Sequence, residues 1–353
     1  MRTEVLARIG NVVEKGINAG EMSGCVVAVG YKGKLVFLEA YGHRQLIPRR
    51  IRMSPGVLFD LASITKPVAT ATSILILADR GKIDLDAPAA EYIPEFAQNG
   101  KEEITIAQLL THQGGLIPDN PLSDYGAGPE KAWESIFALQ PRVTPGSRFV
   151  YTDVGFLVLG EVVHRTSDQD LNEFTRENLF GPLGMRATGY LPSRQLAVGA
   201  AATERRDGRW MVGEVHDPRA HALGGIAGHA GLFSTAEDLA VYAQMMLGRG
   251  EYGGARIFSE QTWKKMTTPV AVSSGRRGLG WDMRTGYSSN RGKGFSESAF
   301  GHGGFTGTSL WIDPGRDLFV IFLSSRLHPD GKGSINPIAG QVGTIAVEAI
   351  EER

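Results

Sequence analysis

Ser63-Ile64-Thr65-Lys66 stands between two segments of different character. Before it, Val57-Leu58-Phe59-Asp60-Leu61-Ala62 reads as an extended approach. After it, Pro67 to Arg80 is rich in Ala, Ile and Leu and predicts a buried helix, with Gly81 as its C-cap. A serine at a helix start and a lysine three residues on share one face, one turn apart. That sets an amine or ammonium beside a hydroxyl at the positive end of a helix dipole. A serine hydroxyl is a weak nucleophile that needs a neighbouring base. Lysine serves as one only where burial or a nearby cation lowers its pKa. An N-cap role would account for Ser63 but not for Lys66.

Outward from this segment, strand patterns lie near both ends of the chain. Gly24–Gly30 and Lys34–Tyr41 read as strands joined by a turn at Tyr31-Lys32-Gly33. Gly278–Met283, Thr308–Asp313 and Leu318–Ser324 read as strands near the C-terminus, followed by a helix over about 337–350. Between them, helical patterns cover Ile106–His112, Ala132–Leu139, Asp153–Arg165, Leu171–Asn178 and Ala236–Leu247. The polar, Gly-rich Ser273–Gly294 reads as a mobile loop. The expected architecture is α/β in the form of an α+β sandwich. One antiparallel sheet is built from both termini and flanked by helices, and an inserted, mostly helical lobe sits between them. The whole of 1–353 forms one catalytic domain, with an α/β lobe at about 1–85 and 271–353 and the insertion at about 86–270. A cleft between two such lobes is a common place for an active site.

Composition sets further bounds. With 353 residues, 42% hydrophobic and 21% charged, the chain has the make-up of an ordinary globular protein. A net charge of -1 gives no footprint for nucleic acid or an anionic membrane. The one cysteine, Cys25, sits in an apolar run and reads as a core residue. No segment is apolar enough to span a membrane. The first twenty residues read as an amphipathic helix rather than a signal peptide, so the expected setting is cytoplasmic or that of a mature exported form. No cofactor or metal is expected: His-Glu-x-x-His is absent, and His216, Asp217 and His221 fall in a Pro-containing loop with no fixed ligand face.

Two further segments carry chemistry. Tyr151-Thr152-Asp153 precedes an apolar helical run, where the helix dipole is expected to lower the phenol pKa. A structural role alone would make Asp153 the N-cap and Tyr151 a half-buried aromatic. His302-Gly303-Gly304-Phe305 precedes the strand-like Thr308–Ile312, and its glycines permit close approach to backbone N–H groups. Gly228-His229-Ala230-Gly231 has a similar form, but it leads into the capping box Ser234-Thr235-Ala236-Glu237. His302 is the better candidate because a strand follows it.

Ser63-x-x-Lys66, Tyr151-Thr-Asp153 and His302-Gly-Gly304, in that order, resemble the three motifs of the serine beta-lactamase and DD-peptidase superfamily, in its class C-like branch. Leu109–Leu116, Phe180–Met185 and Gly231–Leu239 support the resemblance, which covers nearly the whole chain. The run from Val215 to Asp238 resembles a penicillin-binding-protein-4B-like subgroup, with family VIII esterases as relatives. The resemblance implies a beta-lactamase/transpeptidase-like fold and Ser63 as the acylated nucleophile. It implies proton transfer shared by Lys66 and Tyr151, and an oxyanion hole from the N–H groups of Ser63 and Phe305. His302 would bind a substrate carboxylate when protonated, or orient Tyr151.

Two positions depart from the pattern. Asp153 stands where the motif usually ends in Asn, and an ionised carboxylate only accepts hydrogen bonds. Near Lys66 it would favour the ammonium, so either it faces away, or the substrate is not an acylamino beta-lactam, or Tyr151 carries more of the base role. His302 stands where Lys is common, which makes carboxylate recognition pH-dependent. The implied function is a serine hydrolase acting on a small molecule or peptide, foremost a D-Ala-D-Ala carboxypeptidase-like, penicillin-binding enzyme. A small-ester carboxylesterase or weak beta-lactamase shares the same site, and a non-catalytic binding protein on this fold is the alternative of another class.

Overall fold

Gly24–Tyr31 is an apolar strand buried on both faces, and it joins the two ends of the chain. It pairs antiparallel with Leu318–Ser324 on one side, Val27 opposite Phe322, and with Lys34–Gln45 on the other, Val27 opposite Glu39. The computed structural model describes residues 1–350, so the last three residues of the expected 271–353 lobe lie outside the described residues. The sheet has nine strands in the order Val270–Val272, Gly275–Arg277, Asp282–Arg284, Phe300–Gly304, Thr308–Asp313, Leu318–Ser324, Gly24–Tyr31, Lys34–Gln45 and Ile51–Arg52. Every pairing is antiparallel. Lys32 and Gly33, at φ +49° and +73°, make the two-residue hairpin turn whose twist matches the strands it joins.

Successive strand side chains point to opposite faces, so this strand feeds two cores. Cys25, Val27 and Val29 face one of them, which is covered by the helices Arg8–Asn18 and Asn336–Glu348. Val26 and Ala28 face the larger core, covered by Ala236–Leu247 and the rest of the mostly helical segment between the strands.

Three local expectations change. The segment after Ser63 is not one α-helix: Ala62–Ile64 is a 3-10 turn, Lys66–Ala71 a π-helical turn, and only Thr72–Asp79 is α-helical. Pro67 has no N–H to give to a regular ladder, and its carbonyl accepts from Thr72 Oγ1 at 2.9 Å. The predicted strand Gly278–Met283 splits into Gly275–Arg277 and Asp282–Arg284. Gly280, at φ +83°, turns the chain there, and a Cβ on it would overlap Ala71. The Ser273–Gly294 segment is therefore part of the sheet edge rather than a free loop.

Candidate active site

Asp60 prepares the position of Ser63. One carboxylate oxygen accepts the Ala62 N–H at 2.8 Å and the other accepts the His216 N–H at 2.7 Å. Between them Ala62 takes φ +46°, a left-handed conformation that costs a residue with a Cβ about 1 kcal/mol or more. Strain of this kind persists where the surroundings over-determine it, here on the residue that aims Ser63.

One turn on, Lys66 is fully buried. Its ammonium donates to Ser63 Oγ at 3.0 Å and to the His229 carbonyl at 3.1 Å, and it lies 2.6 Å from Asp153 Oδ1. It also sits 5.0 Å from the centre of the Tyr151 ring. Burial alone would lower its pKa, but Asp153 and Tyr151 outweigh burial and push it up. Lys66 is therefore an ammonium at neutral pH. Of the three alternatives for Asp153, the first is excluded, because its carboxylate faces Lys66.

Thr152, not Asp153, caps the helix Asp153–Ser167: its Oγ1 accepts the Gly155 N–H at 3.2 Å and donates to the Ile117 carbonyl at 2.6 Å. That leaves the Asp153 carboxylate for Lys66. The Thr152 N–H donates to His112 Nδ1 at 3.2 Å, and the His112 ring lies 4.4 Å from that of Tyr151. Burial, then Arg277 and Lys66, hold His112 well below the ordinary histidine pKa, so it is a neutral wall behind Tyr151. The half-buried Tyr151 hydroxyl reaches both Ser63 and Lys66. Its pKa is raised, not lowered as the helix dipole suggested: burial outweighs the pull of Lys66.

His302 lies inside the strand Phe300–Gly304, opposite Leu310. The two glycines after it let this strand press against the Ser63 turn, since a Cβ on Gly304 would overlap the Leu61 carbonyl and one on Gly303 the Asn290 amide. Thr308 Oγ1 donates to that Leu61 carbonyl at 3.0 Å, and Thr306 Oγ1 to the Asp60 carbonyl at 2.7 Å. Phe305 follows at the cavity rim, 62% exposed. Its carbonyl is held by Arg326 Nε at 3.0 Å and Nη2 at 2.6 Å.

His302 Nδ1 contacts the Gly303 carbonyl at 2.7 Å, so the proton is on Nδ1. Burial, then Arg277 and Lys66, hold the ring well below the ordinary histidine pKa. A neutral imidazole forms no ion pair with a carboxylate, so the burial of His302 weighs against the ionic role expected of it. Its ring centre lies 6.0 Å from that of Tyr151. The pH profile of kcat/KM on a carboxylate-bearing peptide is therefore expected to lack a limb near about pH 6.5. A measured limb there that disappears in His302→Gln would overturn this assignment.

These residues surround one cavity of about 400 Å³, lined by Ser63, Tyr151, Arg277, Tyr287, His302 and Phe305 among others. Tyr287 stacks on Tyr151, ring centres 4.9 Å apart. Behind the cavity, ligand-type atoms of Asp153, Asp217 and His229 lie within 4.8 Å of one another. His229 Nε2 is 2.9 Å from Asp217 Oδ1, and burial of Asp217 is outweighed by His229, which holds that carboxyl below its ordinary range. Of these groups, Asp153 is the one paired with the Lys66 ammonium, at 2.6 Å. His112, Asp217, His229, Arg277 and Tyr287 were not assigned to the site from sequence. The hints were the segment Leu109–Leu116, which contains His112, and the run Val215–Asp238, which contains Asp217 and His229.

The Beta-lactamase family model matches residues 9–342. The N-acetylmuramyl-L-alanine amidase of Bacillus subtilis (strain 168) is 33% identical, over 92% of this chain and 82% of that protein. A protein of Escherichia coli (strain K12), provisionally named a D-alanyl-D-alanine carboxypeptidase, is 31% identical over 89% of this chain and 81% of its own length. A penicillin-binding protein homologue from Caulobacter crescentus superimposes with a TM-score of 0.80 at 21% identity, covering 99% of each chain, and so shares the fold. The fold, the order of its three motifs and these relatives together place the chain in the Beta-lactamase family, as a serine hydrolase of the beta-lactamase/DD-peptidase type.

Proposed function

We propose that the chain hydrolyses an amide to a terminal alanine-type residue through an acyl-enzyme on Ser63, in the manner of a D-Ala-D-Ala carboxypeptidase. The observation that carries this reading is the contact of Ser63 Oγ with Lys66 Nζ at 3.0 Å on a cavity wall shared with Tyr151. Ser63 Oγ attacks the amide carbon while Lys66 passes a proton to the Asp153 carboxylate and takes the serine proton in its place. The oxyanion takes hydrogen bonds from the Ser63 and Phe305 N–H groups, the latter on a peptide whose Gly304 carbonyl accepts from the Gly307 N–H at 3.0 Å. Collapse breaks the C–N bond, and the same group returns the proton to the departing amine. Water then attacks the ester, gives up a proton by the same route, and frees the acid and Ser63.

The similarity to the Bacillus subtilis amidase favours one second reading, cleavage of N-acetylmuramyl-L-alanine by the same steps. A mass-spectrometric panel separates them. The purified protein is incubated with a penicillin, a D-Ala-D-Ala peptide, N-acetylmuramyl-L-alanine and a short-chain ester, and the adduct on Ser63 and the turnover of each are recorded. A long-lived penicillin adduct with release of D-Ala is expected. Turnover of the ester alone would overturn the amide reading, and fast penicillin turnover would make the chain a beta-lactamase.

A further inference from the structure

The chain on either side of Ser63 is gripped by a second segment, Gly228 to Leu232. The Leu61 N–H donates to the Leu232 carbonyl at 2.9 Å, and the Leu232 N–H donates to Thr65 Oγ1 at 3.1 Å. Lys66 Nζ donates to the His229 carbonyl at 3.1 Å, and Thr70 Oγ1 to the Gly228 carbonyl at 2.6 Å. These contacts matter because Lys66–Ala71 is a π-helical turn, so contacts from outside help to decide where Lys66 Nζ points. Gly228 is pressed against the helix Asp153–Ser167, since a Cβ on it would overlap the Phe156 carbonyl.

The His229 side chain is buried, and its Nε2 donates to Asp217 Oδ1 at 2.9 Å. Nδ1 has no partner among the described residues, so this is the one hydrogen bond of the ring. Asp217 Oδ1 is itself fixed, because it also accepts the Arg219 and Ala220 N–H groups at 2.9 and 2.8 Å. The preceding residue, His216, donates its N–H to Asp60, whose other oxygen sets the turn before Ser63. Two consecutive residues thus reach both halves of the machinery, His216 through Asp60 and Asp217 through His229. Neither Asp217 nor His229 lines the Ser63 cavity. We propose that Asp217 and His229 are positioning residues, whose side-chain tether holds the His229 carbonyl against Lys66 and so keeps the amine on Ser63 Oγ. The carbonyl gives the ammonium an acceptor besides Asp153 and Ser63. When it shifts, the charge is drawn toward Asp153 and the contact with Ser63 lengthens. The inference rests on the acyl-enzyme reading of Ser63, not on the choice of amide, ester or penicillin as substrate.

The test follows acylation of Ser63 by a penicillin, by intact mass over time, in wild type, His229→Met, His229→Gln and Asp217→Ala. Each is also made in a Lys66→Met background, and thermal melts are recorded alongside. His229→Met is expected to lower the limiting acylation rate at least about tenfold, because a small misplacement of a reacting group is costly. The half-saturating penicillin concentration should change by less than about twofold. His229→Gln keeps an N–H for Asp217 and is expected to return to within about threefold of wild type. Asp217→Ala breaks the tether from its other end and should match His229→Met. Its side chain is 21% exposed, so it carries the measurement if the buried methionine prevents folding. In the Lys66→Met background the same substitutions should change the residual rate by less than about twofold, since no amine is left to position. If the losses persist there, if Gln and Met lose equally, or if folded His229→Met and Asp217→Ala acylate at the wild-type rate, the proposal falls. A Ser63→Ala protein that still forms the adduct would instead overturn the nucleophile, a separate result.

Discussion

Ser63→Ala is expected to lose the covalent adduct with every acylating probe and to lower kcat/KM on the order of 10⁶-fold, as loss of the nucleophile does in other serine hydrolases. Ser334 also lines the cavity, but the Lys66 ammonium lies against Ser63. Cys25, the one thiol, lies in the opposite core and its pKa is driven up by burial, so it forms no thiolate. The substitution removes one hydrogen bond from Lys66, which keeps Asp153 and the His229 carbonyl. The fold is thus expected to lose no more than about 1 kcal/mol. Intact-mass spectra after penicillin treatment, with a thermal melt alongside, check both halves. An adduct that persists in the folded variant would move the nucleophile elsewhere.

Asp153→Asn is expected to change both the pH profile and the stability. In the native protein burial lowers the Lys66 pKa, but Asp153 and Tyr151 raise it further, so the net shift is upward. A raised folded pKa gives stability that is fully present below the unfolded lysine value of about 10.4 and is lost as pH rises through the folded value. Without Asp153, burial faces only Tyr151 and the folded pKa drops. The buried ammonium then costs stability at neutral pH, toward the lower end of the roughly 3–5 kcal/mol typical of a broken buried pair, because Asp153 is 19% exposed. The melting temperature should fall more at about pH 6 than at about pH 9, where Lys66 can shed its proton. The same drop frees the amine at lower pH, so the rising limb of acylation should move down by at least about one unit, a tenfold change per unit. Stopped-flow acylation across pH tests this. A limb that does not move would show that the Lys66 amine does not take the serine proton.

The contact of Ser63 with Lys66 was legible in the sequence. Ser63 and Lys66 are three residues apart, and their contact follows from one helical turn. The pairing of strands from both ends was legible because Gly24–Gly30 and Leu318–Ser324 are apolar runs too short for helices. The electrostatics were not legible. Whether Lys66 is charged depends on Asp153, which reaches it across the fold, and whether Tyr151 is acidified depends on burial by His112 and its neighbours. His302 looked ionisable because sequence shows neither its burial nor the Arg277 near it. The split at Gly280 was hidden because its close approach to Ala71 involves a different element.

The marriage of Gly24–Tyr31 to Leu318–Ser324 also fixes a timetable for the molecule. As the chain leaves the ribosome, the first apolar strand must wait for nearly everything else before its second neighbour exists. Contacts so distant along the chain form slowly, and an unpaired apolar edge invites association with other chains while it waits. Ser63 shares that delay, because the strand carrying His302 reaches the sheet only with the last sixth of the chain. A nascent or truncated chain thus holds its nucleophile without the wall opposite it, and chemistry begins only when the two ends have met.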